Sequence, residues 1–170
     1  MTAHDTAARD LAAEVVRRMT DRGLHLATAE WTTGGLTGHL VVAVPGASKV
    51  FVGGVAAYGR IPKIDWLAVD PDIIAEHGSV AEETVLAMAR GARRALEVDV
   101  AVSESGIASP TIHPDRPGGL YCLALVADSY ERAERHVFPG DRLQTMHAAS
   151  ERLLEMVLEY LDTLVPSPDR

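Results

Sequence analysis

Apolar residues recur at helical spacing along much of the chain, in segments separated by glycine and proline. The first amphipathic segment is followed by Gly23, and glycine is the residue type that most often ends a helix. Another segment is introduced by Ser79–Glu82, which has the form of a capping box. Four helices are predicted, over residues 5–22, 34–44, 79–96 and 141–165.

Short apolar runs between these helices are typical of buried strands. Adjacent Gly53 and Gly54 in one run indicate a bulge or a close approach of another part of the chain. The strands are predicted over residues 24–29, 50–58, 99–103, 119–127 and 131–138. Because strands and helices are mixed along the chain, we predict an α/β fold, a single-domain three-layer α/β/α sandwich with a mixed sheet. The domain is expected over residues 1–165, with a frayed tail at 166–170.

Composition and charge narrow the possible partners. The 170 residues carry a net charge of −8 and contain no basic block, which argues against nucleic acid or an anionic membrane as a partner. A small phosphorylated ligand needs only one local cationic pocket and stays possible. No stretch approaches the roughly 20 apolar residues that span a bilayer, and no apolar leader is present, so a cytoplasmic protein is expected. The single Cys122 lies in an apolar run and is expected to be a core residue.

The turn at residues 29–35 is the richest candidate site, because a predicted strand there runs into a predicted helix. Free backbone N–H groups and the positive end of a helix dipole would attract an anion at this point. Glycines allow a close approach, and threonine hydroxyls add further donors. The same sequence is also a reasonable helix N-terminus without any ligand, and it lacks the spacing of a P-loop.

Lys63 is the candidate base, since lysine is rare in this chain and its pKa falls when it is desolvated. Tyr58 lies five residues earlier, and Arg142 follows the Gly-Asp that opens the last helix. The segment 103–110 is predicted to be a turn lined with hydroxyls, Ser105 among them. Each of these could equally be an ordinary surface residue. The histidines have no metal-ligand spacing, so neither a metal site nor a cofactor is expected.

Six segments carry motifs whose order is informative. They are A-E-W-T-T-G-G at 29–35, V-P-G-A-S at 44–48, F-V-G-G-V-A-A-Y at 51–58, H-G-S-V-A-E-E at 77–83, S-G-I-A-S-P at 105–110 and G-D-R at 140–142. In this order they resemble the CinA C-terminal domain family, whose first motif is A-E-S-C-T-G-G and whose fifth is T-G-I-A-G-P. The family spacing Y-x-x-x-x-K is kept by Tyr58 and Lys63. The resemblance covers nearly the whole chain.

The resemblance implies a relative of the nicotinamide mononucleotide deamidases, amidohydrolases that cleave the carboxamide of the nicotinamide ring and release ammonia. It also implies that the serine of A-E-S-C-T-G-G is the nucleophile and that the lysine matching Lys63 activates it. Here Trp31 occupies the serine position, and an indole offers only an N–H donor. Other departures from the family pattern are Thr32 for cysteine, Ser105 for threonine, Ser109 for glycine, Arg60 for asparagine and Met146 for a second arginine.

Three hypotheses follow for the function. In the first, the chain is still an amidohydrolase, with Thr32 or Ser105 as nucleophile beside Lys63 and Tyr58. In the second, the protein binds a small phosphorylated nucleotide-like ligand without efficient turnover, and Trp31 stacks on a planar ring. Its ligand-binding residues are Glu30, Trp31, Thr33, Gly34, Gly35, Gly106 and Arg142. In the third, Trp31 fills the pocket and the domain is a structural or oligomer-forming module. We favour the second, with weak, altered or lost deamidase activity, and the resemblance implies a homo-oligomer.

Overall fold

The computed structural model describes residues 3–109 and 115–164, and the predicted tail at 166–170 lies outside these ranges. The helices within them are Ala3–Arg22 (α1), Leu36–Val42 (α2), Arg60–Asp65 (α3), Pro71–His77 (α4), Glu82–Ala95 (α5) and Arg142–Thr163 (α6), with a short 3-10 helix at Ala47–Lys49. The strands are Leu26–Glu30 (β1), Phe51–Ala56 (β2), Val100–Ile107 (β3), Leu120–Val126 (β4) and Glu131–Val137 (β5).

The strands form one mixed sheet in the order β2-β1-β3-β4-β5. Strand β1 is parallel to both of its neighbours, whereas the β3–β4 and β4–β5 pairs are antiparallel. Helices α1, α2 and α6 pack together and cover one face, and α5, supported by α4, covers the other. Each face has its own apolar core. The predicted three-layer α/β/α sandwich with a mixed sheet is therefore confirmed.

The local signals account for most of these elements. Helix α1 is followed by Gly23 at a φ of 65°, a left-handed conformation that glycine adopts without strain. In β2 both predicted features occur: the register shifts opposite Leu26 and Ala27, and a Cβ at Gly54 would overlap the buried Thr28 hydroxyl. Helix α6 begins at Asp141, which forms a capping box with Gln144.

Three local predictions differ from the structure. The segment 103–107 is strand, not turn, because its residues pair with β4 as far as Ile107. Ser79 does not cap α5, since the N-cap is Ala81 and the Ser79 carbonyl instead accepts a hydrogen bond from Ser105. The short helices α3 and α4 were not expected, although Asp70 caps α4 with its side chain and Pro71 follows at the first helical position.

The outer end of the sheet is tied to α6 by ion pairs. Glu134 on β5 accepts two hydrogen bonds from the Arg152 guanidinium, both at 2.9 Å. Arg152 also bonds Glu159, which in turn pairs with Arg132 on β5. These bonds lower the pKa of Glu134 to about 2, with Arg152 as the largest cause.

Candidate functional site

The turn between β1 and α2 is organised by the carboxylate of Glu30, which is buried at the end of β1. One oxygen accepts from the Thr33 hydroxyl at 2.6 Å and from the Gly35 and Thr37 amides at 3.0 Å each. The other accepts from the Gly38 amide at 2.9 Å. The N-terminus of α2 is therefore neutralised by a side chain of the chain itself.

This arrangement corrects the expectation of free backbone N–H groups at the turn. The Gly35 amide is bonded to Glu30, and the Thr33 amide donates to Glu104 at 2.9 Å. Gly34 and Gly35 have φ values of 64° and 104°, so glycine is required here by the backbone conformation. None of Glu30, Thr33, Gly34 and Gly35 lines the main cleft described below.

Glu104, on β3, is a second fully buried carboxyl that sequence reasoning missed. One of its oxygens lies 2.8 Å from the Thr33 hydroxyl, which also donates to Glu30. A hydroxyl has one hydrogen, so both contacts are hydrogen bonds only when one of the two carboxyls is protonated. Burial raises the pKa of Glu104 to about 7, so this carboxyl is protonated in a substantial fraction of molecules at neutral pH. Its second oxygen has no hydrogen-bond partner within residues 3–109 and 115–164.

Lys63, on α3, is fully buried, and its Nζ has no hydrogen-bond partner among the residues that the structure describes. The Nζ atom lies 3.0 Å from the centroid of the Trp31 ring, close enough for a cation–π contact. Burial lowers the pKa of Lys63 to about 7, opposed by the negative charge of Glu104. The predicted base and Trp31 are thus in direct contact, and an indole offers Lys63 no hydroxyl.

The two candidate substitute nucleophiles are engaged elsewhere. The Thr32 hydroxyl donates to the Gly106 carbonyl at 2.9 Å and accepts from the Gly106 amide at 2.8 Å. The Ser105 hydroxyl is buried and donates to the Ser79 carbonyl at 2.6 Å. Neither hydroxyl is hydrogen-bonded to Lys63. Gly106 is required by packing, because a Cβ there would overlap the ring of Tyr121.

A cleft of about 400 Å³ opens beside this cluster. Trp31 lines it, so the indole does not fill the space. Arg142 lies at its edge and donates to the Ser109 hydroxyl at 2.7 Å and to the Tyr58 hydroxyl at 3.3 Å. Arg116 also lines the cleft and supplies a second cation. In the sequence Arg116 stands in an Arg-Pro-Gly-Gly run before β4, a pattern that does not indicate a place beside this cleft.

Other reactive groups in the described part of the chain form no further site. No group of three or more histidine, cysteine, aspartate or glutamate side chains in residues 3–109 and 115–164 could hold a metal ion. No helix among the same residues combines the length and the apolar character needed to cross a membrane. Cys122 is buried, and burial raises the pKa of its thiol to about 11, as fits a core residue.

Comparison with known proteins places these features in a family. A family model described as the CinA C-terminal domain matches residues 8–161. The chain belongs to this family. It is 39% identical over 155 residues to a CinA-like protein of Syntrophotalea carbinolica, an alignment that covers 91% of this chain and 38% of that protein. It is 40% identical over 148 residues to a CinA-like protein of Thermotoga maritima, covering 86% of this chain and 36% of the relative.

The chain therefore spans little more than a third of the length of the curated relatives it matches. Solved structures resemble it over nearly their full length. The competence/damage inducible protein CihA from Agrobacterium tumefaciens superimposes with a TM-score of 0.88 at 30% identity, covering 92% of this chain and 96% of that one. The competence damage-inducible protein A of Klebsiella pneumoniae also gives 0.88, at 29% identity, over 92% of this chain and 98% of that one.

Proposed function

We propose that the cleft binds a small phosphorylated, nucleotide-like ligand and that hydrolysis of an amide there is weak or lost. The observation that carries the proposal is the pairing of Arg116 and Arg142 with the indole of Trp31 along one cleft. Guanidinium groups bind phosphate through paired, charge-assisted hydrogen bonds, and an indole face stacks on a planar ring. The cleft, at about 400 Å³, has the size of ordinary small-molecule pockets.

The weak or lost hydrolysis follows from the surroundings of Lys63. A nucleophile must lie within hydrogen-bond reach of its base, and the Nζ of Lys63 has no such partner in the described part of the chain. The hydroxyls of Thr32 and Ser105 donate to backbone carbonyls instead. Activation of either one would first require these bonds to break.

Two measurements on the purified protein test the proposal, calorimetric binding of nicotinamide mononucleotide and release of ammonia from it. We expect binding with little or no ammonia, and Arg142→Met should weaken binding by about tenfold or more, the equivalent of a lost charge-assisted bond. Arg94→Met, which removes an exposed arginine of α5 outside the cleft, is the matched control and should bind normally.

Two outcomes would overturn the proposal. Rapid ammonia release that Thr32→Ala abolishes would show that the chain is an active amidohydrolase with a displaced nucleophile. Failure of the unmodified protein to bind the mononucleotide would leave the structural or oligomer-forming module as the better description. Trp31→Ser completes the set, because it restores a hydroxyl at the position where Lys63 now meets an aromatic ring.

A further inference from the structure

Lys63 is a buried nucleophile that the proposed ligand binding does not use. Its side chain is fully buried and does not line the cleft. A buried amine without a hydrogen bond is costly to the fold. Within residues 3–109 and 115–164 no hydroxyl is hydrogen-bonded to Lys63, so the amine itself is the nucleophile that this site offers.

We propose that Lys63 is a covered amine that forms an imine with the carbonyl carbon of a phosphate-bearing aldehyde or ketone when the Trp31 indole moves aside. Trp31 contacts the amine, with 3.0 Å between Nζ and the ring centroid, and it also lines the cleft. The indole therefore separates the amine from the cleft. Arg116 and Arg142 also line the cleft, where their guanidinium groups can bind the phosphate.

Movement of the indole does not require the turn to unfold. The backbone at Trp31 is held by its own amide, which donates to the Glu104 carbonyl at 3.3 Å. The turn that follows is held by Glu30, not by the side chain of residue 31. Rotation of the Trp31 side chain breaks its contact with Lys63 and its packing against the apolar core on that face of the sheet.

The reaction is a condensation that needs no oxidant or reductant. The uncharged amine attacks the carbonyl carbon, a C–N bond forms, and the carbonyl oxygen takes up a proton to give a carbinolamine. One of the two protons on the nitrogen then passes to the hydroxyl oxygen, the C–O bond breaks as water leaves, and the nitrogen returns its other proton to solvent in the cleft, so that the neutral imine remains. The lowered pKa of Lys63, about 7, leaves about half of the amine uncharged at neutral pH and so supports the first step.

The test uses pyridoxal 5′-phosphate as a phosphate-bearing aldehyde, borohydride to fix the imine, and peptide mass spectrometry to locate it. The chain contains only two lysines, so the exposed Lys49 is a natural internal control. We expect labelling of Lys63 that persists in Lys49→Arg and disappears in Lys63→Met. Pyridoxal, which lacks the phosphate, should label Lys63 more slowly than pyridoxal 5′-phosphate does. Pyridoxal 5′-phosphate should also label Lys63 more slowly in the Arg142→Met variant than in the unmodified protein.

Variants of Trp31 test the covering role. Trp31→Ala should raise the rate of labelling at Lys63 by about tenfold, the factor equivalent to the cation–π contact that it removes. Trp31→Leu serves the same purpose if the alanine variant does not fold, which circular dichroism checks. Labelling confined to Lys49 and the terminal amine, in the unmodified protein and in a folded Trp31 variant alike, would overturn the proposal. This proposal rests on the phosphate-binding arginines of the proposed function, but nucleotide binding is measured separately, so failure of one proposal can be distinguished from failure of the other.

Discussion

Replacing Lys63 by methionine should make the protein more stable, although core substitutions usually have the opposite effect. Lys63 is fully buried and no described residue forms a hydrogen bond with its Nζ, so the charged form is penalised in the native state. Methionine has a similar length, suits the helix α3 and keeps an apolar contact with the Trp31 ring.

The magnitude follows from the pKa of the amine. Its ordinary value is 10.5 and its value in the fold is about 7, a difference that costs the native state about 4 kcal/mol at pH 7. Loss of the cation–π contact offsets about 1 kcal/mol of this, so the free energy of unfolding of the methionine variant should rise by about 3 kcal/mol. Removing Lys63 need not leave an unpaired buried charge, because the pKa of Glu104 is raised to about 7 and its carboxyl can stay protonated.

The dependence on pH gives the effect its signature. The unfolded state binds more protons at Lys63 than the native state between pH 7 and pH 10.5, so this penalty is complete below about pH 7 and fades as the pH rises to 10.5. Urea unfolding at pH 7 and pH 10 measures both ends, with the exposed Lys49→Met as a control that should change little. A methionine variant less stable than the unmodified protein at pH 7, or a gain of equal size at pH 10, would refute this reasoning.

Two further perturbations concern the sheet. Gly54→Ala should destabilise the fold by about 1–3 kcal/mol, because its Cβ would overlap the buried Thr28 hydroxyl. Gly53→Ala is the control, and it should be nearly neutral in the same urea titration because its Cβ would lie 3.8 Å from Leu96. Equal losses of stability in the two variants would contradict the steric explanation. Glu134→Gln should lower the free energy of unfolding at pH 7 by about 3 kcal/mol at most, because the pKa of Glu134 is lowered from 4.5 to about 2 in the fold. The stability that ionised Glu134 contributes is lost as the pH falls from 4.5 through about 2. Unfolding at pH 7 and pH 3 measures the change, and a deficit that did not shrink on acidification would speak against the ion pairs as its source.

The periodic elements were predictable because their signals are local. The apolar run 120–126 forms the fully buried strand β4, and Asp141 begins α6 as its sequence indicates. The polar segment 103–107 was not predictable as strand, because its pairing partners lie on β4. The hydroxyl and carboxyl groups of this segment are buried by residues that are distant in the sequence, as Glu104 is by its contact with Thr33.

The candidate site was predictable in outline only. The motif spacing identified Trp31 and Lys63 as candidate site residues, and the structure places them in contact. Their relation could not be derived from the sequence, because whether an aromatic ring fills a pocket or lines it depends on side-chain packing. The same holds for Arg116, which meets the cleft only through the path of the loop before β4.

The four hydrogen bonds accepted by Glu30 give this scaffold a tolerance to mutation at the neighbouring position. The shape of the turn rests on Glu30, Thr33 and Glu104, so residue 31 can change from a reactive side chain to an aromatic one, or back, without a compensating change in the loop. We therefore expect that a single substitution there can alter the surroundings of Lys63 and leave the hydrogen bonds of the turn in place. Domains built in this way can lose one activity and acquire another along a path in which every intermediate still folds.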